Sequence, residues 1–205
     1  LEPGRVYDVA VPLKAISYVV PAGHVLRIAL STAYWPWLWP SPELAELVIR
    51  CDEGSCLELP VRPARDEDAD LLPFAEPEIA APLPVTWLAE RNPRWEIARD
   101  VVSGLNTLVM SRALAGSRRL PDGITYRDRD PIRFSIVEGE PLSARVECER
   151  TIAIGRGDWQ TRIEMRATMS ADAEAFHITG TLDVFEGDRP VRSRAHAARI
   201  PRDGC

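Results

Sequence analysis

The chain has 205 residues, of which 45% are hydrophobic, with 25 Lys and Arg against 31 Asp and Glu. This length is enough for one large or two small domains with a sizeable core. The formal net charge of -6 is spread over both signs without a basic stripe, which argues against a nucleic-acid surface, and no apolar run is long enough to span a bilayer.

Apolar residues alternate with period two near the start of the chain, and this pattern predicts half-buried β-strands. One face of the first strand would hold Tyr7, Val9, Val11 and Leu13, and one face of the second would hold Leu26, Ile28 and Leu30. Pro21-Ala22-Gly23 between them is typical of a turn, because proline presets φ and glycine tolerates a positive φ. A further hairpin is predicted with strands at residues 47–49 and 57–59.

The cysteines are interpreted as free thiols. Cys51 and Cys56 flank the turn of the predicted hairpin and could bond across it in an oxidising compartment. Their spacing does not match a Cys-x-x-Cys metal or redox site, and no histidine lies nearby. Cys148 alternates like a small buried residue, and Cys205 is terminal. We therefore favour four free thiols over a disulfide, and we expect no metal site and no cofactor.

The organisation changes near residue 62. A charged run over residues 62–70 and prolines at 73, 77, 82 and 84 predict an extended connector over residues 62–85. The sequence also allows a short helix around Thr86 to Arg91. After the connector, long alternating segments joined by short polar turns predict an antiparallel meander with one apolar and one polar face over residues 86–205. Its clearest strands cover residues 142–149, 159–169 and 176–184.

The first third of the chain resembles a known family. The segments LEPGRVYDVAVPL and ISYVVPAGHVLRIALSTAYWPWLWP are similar to the non-catalytic C-terminal β-sandwich of the Xaa-Pro dipeptidyl-peptidase and cocaine-esterase family of serine hydrolases. The most specific part is the Gly-His-x-Leu-Arg-Ile-x-Leu-Ser strand. The resemblance implies a jelly-roll-like sandwich, a partner α/β-hydrolase domain that precedes it and carries the catalytic residues, and a cytoplasmic location. A start at Leu1 without an initiator methionine is typical of a segment of a longer protein.

Residues for acyl-transfer catalysis are not evident in this sequence. No serine has glycine two residues before and two residues after it, as a nucleophile elbow requires. The histidines His24, His177 and His196 are interpreted as structural or solvated. We therefore predict that this chain alone is not a catalyst, whereas its parent protein would be a serine hydrolase acting as a dipeptidyl-peptidase or an esterase.

The segment Tyr34-Trp35-Pro36-Trp37-Leu38-Trp39-Pro40 holds more aromatic surface than a solvent loop should expose. In the resembled family this segment lies at the junction with the hydrolase domain, close to the substrate pocket. Three interpretations remain open for Tyr34, Trp35, Trp37 and Trp39. They could pack against the catalytic domain, which we favour, be buried within this chain, or stack on sugars.

The fold class expected is all-β, with jelly-roll-like antiparallel sandwich strands followed by an antiparallel meander. The expected domains are residues 1–61, the connector 62–85 and the sheet domain 86–205. The expected function is that of an accessory domain that packs on the α/β-hydrolase domain and shapes its substrate pocket. The competing hypotheses are an independent carbohydrate- or ligand-binding module and an oligomerisation domain. Unpaired strand edges would either form a homodimer or be completed by the second half of the chain.

Overall fold

The computed structural model describes residues 2–112 and 116–203. The chain divides into two compact units, Leu1–Ser31 and Thr32–Cys205. The described residues of the first unit contain no strand, and two turns in them are closed by backbone hydrogen bonds. Arg5 N donates to Glu2 O at 3.2 Å and His24 N donates to Pro21 O at 3.1 Å. The second of these is the turn predicted from Pro21-Ala22-Gly23.

The second unit contains the β-structure of the described chain. A 3₁₀ helix covers Asp66–Asp70. The strands that follow are β1 Thr86–Ala89, β2 Arg94–Arg99, β3 Leu105–Ser111, β4 Gly116–Arg119, β5 Thr125–Arg129, β6 Ile132–Val137, β7 Glu140–Arg156, β8 Trp159–Ala171, β9 Ala175–Glu186 and β10 Arg189–Pro201. All of their pairings are antiparallel and they form a single sheet. The all-β class and the antiparallel sheet are therefore confirmed.

The long strand β7 organises this sheet. One of its edges pairs with β8 along residues 145–156, and β9 and β10 continue from β8 as a meander. Its other edge is shared by two shorter strands, with β6 along the first part of β7 and β5 along the last part. The strand series β6-β3-β2 and β5-β4-β1 extend outward from them. The predicted simple meander is thus right for β7 to β10, whereas β1 to β6 form two branches.

The register places most of the large apolar residues of β7 to β9 on one side of the sheet. Residues directly opposite each other in antiparallel strands point to the same side. Phe134 of β6 lies opposite Val146 of β7, Val146 opposite Met169 of β8, and Met169 opposite Ile178 of β9. The same side carries Cys148, Ile152, Ile163, Met165, Phe176, Leu182 and Val184. We call this side the apolar face, and its residues on β7 to β9 are the ones the alternation predicts.

The strands expected within residues 1–61 are absent, because no strand is assigned between residues 2 and 85. The apolar side chains of these segments are exposed, including Val9 at 72% and Ile28 at 59%. Alternation decides which side of a strand is apolar, but a strand forms only when its backbone groups find a neighbouring strand. No such pairing forms in the described residues here. The jelly-roll-like arrangement of residues 1–61 is thus not formed in this structure.

The region around residue 86 requires a second correction. The short helix allowed around Thr86 to Arg91 is wrong, since residues 86–89 are strand β1, paired with β4. The charged run at 62–70 is a loop, as expected, except for the 3₁₀ helix, beside which Arg62 and Asp68 form an ion pair. The domain boundaries near residues 61 and 85 stay a prediction.

Cys51, Cys56 and Cys148 are free thiols, and Cys205 lies outside the described residues. Burial raises the pKa of the Cys148 thiol, and the negative charge of Asp130 adds to this effect. No helix in residues 2–112 and 116–203 has the length and apolar character needed to cross a bilayer. In the same residues β10 pairs with β9 along one edge, and the homodimer through strand edges stays a prediction.

Candidate functional site

The tryptophan loop, residues 34–40, lies against the apolar face of the sheet. The ring of Trp35 meets Phe134 of β6 edge to face, with centroids 6.0 Å apart, and the ring of Trp39 meets Phe176 of β9 at 5.7 Å. The two tryptophans also contact each other at 5.0 Å with planes at 88°. Such edge-to-face contacts bring the positive ring edge to the negative ring face. The loop thereby spans the sheet from β6 to β9.

A tight turn holds the centre of the loop away from the sheet. Trp37 N and Leu38 N both donate to Tyr34 O, at 2.8 and 2.9 Å. Trp35 and Trp39 are half-buried, whereas Tyr34, Trp37 and Leu38 are 62%, 58% and 64% exposed. The four predicted site residues therefore divide into two groups. Trp35 and Trp39 anchor the loop within this chain, and Tyr34 and Trp37 form, with Leu38, an exposed patch that we call the aromatic patch.

The turn between β8 and β9 precedes Phe176, the residue that Trp39 of the tryptophan loop contacts. Asp172 Oδ1 accepts hydrogen bonds from Glu174 N at 2.8 Å and Ala175 N at 2.7 Å. Its Oδ2 lies 2.7 Å from His177 Nε2. The hydrogen bond from His177, followed by those from the two backbone N–H groups, lowers the pKa of Asp172 from 3.8 to about 2. The carboxylate thus closes the turn that leads into Phe176.

The lowered pKa of Asp172 gives a testable pH dependence. Its stabilising effect on the turn should be fully present above pH 3.8 and lost as the pH falls through about 2, because protonation removes the acceptor. In NMR spectra the amide protons of Glu174 and Ala175 should titrate with a midpoint near 2, and Asp172→Asn should abolish this titration. A midpoint near 3.8 would contradict the hydrogen-bonded turn.

His177 lies opposite a serine, and a histidine beside a serine can be part of an acyl-transfer site. Ser170 on β8 is the register partner of His177 on β9. Among the described residues no hydrogen bond joins Ser170 Oγ to the His177 ring, whose Nε2 is engaged by Asp172. A nucleophile needs a base within hydrogen-bonding reach and donors for the oxyanion. The geometry here shows an Asp–His pair that closes a turn, with the His177 ring directed to Asp172.

The remaining candidate groups do not form a ligand site in the part of the chain that the structure describes. His24 and His196 are exposed. In residues 2–112 and 116–203 no group of three or more His, Cys, Asp and Glu side chains is placed to hold a metal ion. The feature best suited to binding is thus the aromatic patch, which offers apolar area and a phenol hydroxyl.

Several residues that build this site were missed by sequence reasoning. Phe176 was predicted only as part of the strand at 176–184 and Phe134 was not singled out, yet these are the rings that Trp39 and Trp35 contact. Arg202, directly after β10, hydrogen-bonds Pro40 O, a residue 162 positions away. No local signal marks a contact at that separation. The Asp-x-Glu-Ala run at 172–175 does carry the signal of an Asx turn.

Comparison with known proteins adds one finding. A family model described as the X-Pro dipeptidyl-peptidase C-terminal non-catalytic domain matches residues 1–52. This segment includes the tryptophan loop and ends before the first strand. No curated protein and no solved structure matches the chain. Residues 1–52 are thus similar to a non-catalytic C-terminal domain of X-Pro dipeptidyl-peptidase-like proteins.

Proposed function

We propose that this chain is a non-catalytic accessory region of a serine hydrolase of the Xaa-Pro dipeptidyl-peptidase or acyl-esterase type. It packs on the α/β-hydrolase domain of the same polypeptide through the aromatic patch and borders the substrate pocket. In this proposal the hydrolase domain breaks the peptide or ester bond by acyl transfer, and the chain described here fixes part of the surface around it.

The observation that carries the proposal is the division of the tryptophan loop. Packing within the chain accounts for Trp35 and Trp39, but it leaves Trp37 and Leu38 exposed next to each other in a loop whose two ends contact the sheet. Exposed aromatic residues on a pre-formed surface are typical of interfaces, where Trp and Tyr supply much of the binding energy. The similarity of residues 1–52 to a C-terminal non-catalytic domain supports a catalytic domain as the partner.

The non-catalytic role can be tested with a fluorophosphonate probe, which labels activated serines. We expect the 205-residue chain to take up no label, because no serine in residues 2–112 and 116–203 is placed as an activated nucleophile. The full-length protein should be labelled on one serine outside these residues. Ser170 is the residue to examine, since it lies opposite His177. Stoichiometric labelling of Ser170, lost in Ser170→Ala, would contradict the proposal.

A further inference from the structure

Arg202 directly follows β10 and is only 8% exposed, which is unusual for an arginine. Its backbone N donates to Glu174 O at 2.8 Å, so the segment after β10 is fixed to the β8–β9 turn. Its guanidinium then bridges two parts of the fold. Nη1 donates to Asp172 O at 3.2 Å, and Nη2 donates to Pro40 O at 2.5 Å.

The same guanidinium ends a continuous row of ring contacts. It lies over the Phe176 ring, 4.9 Å from the centroid, and the same ring meets that of Trp39 edge to face. Trp39 contacts Trp35, and Trp35 contacts Phe134 of β6 on the same face of the sheet. A cation over a ring face is attracted by the ring's electrons, most strongly when little water is present. Arg202 therefore acts on the tryptophan loop through Pro40 and through Phe176 at once.

Both contacts depend on the shape of an arginine side chain. Its planar fork can donate in two directions while its flat face covers a ring, which a lysine ammonium cannot do to the same extent. Pro40, the acceptor, is buried at the end of the loop. Trp39 Nε1 and Arg202 Nε are buried without a hydrogen-bond partner in the described residues. The Arg202 Nη hydrogen bonds and the ring contacts therefore attach the tryptophan loop at its Trp39 end.

We infer that Arg202 is a positioning residue that locks the tryptophan loop onto the sheet and so presents the aromatic patch to its partner. The inference deepens the proposed function, because it concerns the surface through which the chain would dock. Without Arg202 the Trp39 end of the loop would lose its polar attachment, and the turn from Tyr34 to Leu38 would open more often. The patch would then have to be ordered during docking, which weakens binding.

The lock can be tested in the 205-residue chain without the hydrolase domain. In Arg202→Gln, hydrogen exchange at the amides of Trp37 and Leu38 should become about tenfold faster, because hydrogen bonds from a charged donor are lost. Arg202→Lys keeps the charge and should recover part of the protection. Arg192→Gln, at an exposed arginine on β10, is the matched control and should leave these amides unchanged. Amides of β8 report whether each variant keeps its sheet.

Two further outcomes separate this inference from the proposed function. If the loop amides of Arg202→Gln and Arg202→Lys exchange no faster than those of Arg192→Gln, the positioning role is wrong. If these amides exchange faster while binding to the hydrolase domain is unaffected, the positioning role of Arg202 is confirmed and docking through the aromatic patch is wrong. The inference predicts faster exchange together with weaker docking, by about tenfold in Kd for Arg202→Gln. Should Arg202→Gln lose its sheet, the comparison of Arg202→Lys with Arg192→Gln decides.

Discussion

Replacing Trp39 with alanine should destabilise the chain by about 2–3 kcal/mol. Complete truncation of a buried tryptophan costs about 3–5 kcal/mol, and the loss is expected to be smaller here because Trp39 is only half-buried. The substitution removes the ring that joins Trp35 to Phe176 and therefore detaches the loop from the β9 side of the apolar face. Thermal or urea unfolding followed by far-UV circular dichroism measures the loss.

Two variants in the same loop serve as controls for Trp39→Ala. Trp39→Phe keeps an aromatic ring against Phe176 and should recover most of the lost stability. Trp37→Ala removes a ring that is 58% exposed and should change the free energy of unfolding by less than about 0.5 kcal/mol. Equal melting temperatures for Trp37→Ala and Trp39→Ala would show that the loop does not rest on the sheet as described.

The prediction from sequence agrees best with the structure on β7 to β9. There the strands are long, and period-two alternation places Val146, Met169 and Ile178 on one side, as the register confirms. Consecutive strands joined by short turns pair with each other, so local pattern and tertiary structure agree. The branches at β5 and β6 could not be predicted in this way. Both strands pair with the same edge of β7, and the local pattern of a strand does not show how that edge is divided between them.

The tryptophan loop shows why the site could be predicted only in part. Its composition identified Trp35, Trp37 and Trp39 as a group that a solvent loop should not expose. Which rings turn inward depends on Phe134 and Phe176, which lie far along the chain and carry no local mark. The same holds for Arg202 and Pro40. Sequence patterns report the periodicity of one segment, whereas these contacts join segments that the pattern treats separately.

The strands missing from residues 2–61 follow from the same limit. Val9 and Ile28 have the spacing of half-buried strand residues, but their backbone groups have no paired strand in the described residues. Residues of this kind need both a neighbour in the sheet and an apolar layer to cover them. The alternation shows that these segments are amphipathic, but it does not show that a neighbouring strand or a covering apolar layer is present.

Replacing Trp37 with alanine should weaken docking to the hydrolase domain by about 2 kcal/mol, or about thirtyfold in Kd. Trp37 projects from a turn closed by two hydrogen bonds to Tyr34 O, so its ring is presented without further ordering. Burying the exposed part of this ring in an interface is the source of the expected energy. Because the ring contributes little to the fold of the free chain, the loss should appear in binding and not in stability.

The direct measurement is a calorimetric titration of the hydrolase domain with the 205-residue chain. We expect saturable one-to-one binding that is weakened in Trp37→Ala and retained in Trp159→Ala, where a tryptophan of similar exposure lies on the β7–β8 hairpin. Absence of binding, or equal affinities for the wild-type chain and Trp37→Ala, would contradict the account. If oligosaccharides instead bind the wild-type chain and fail to bind Trp37→Ala, the aromatic patch is a sugar site and the docking interface is wrong.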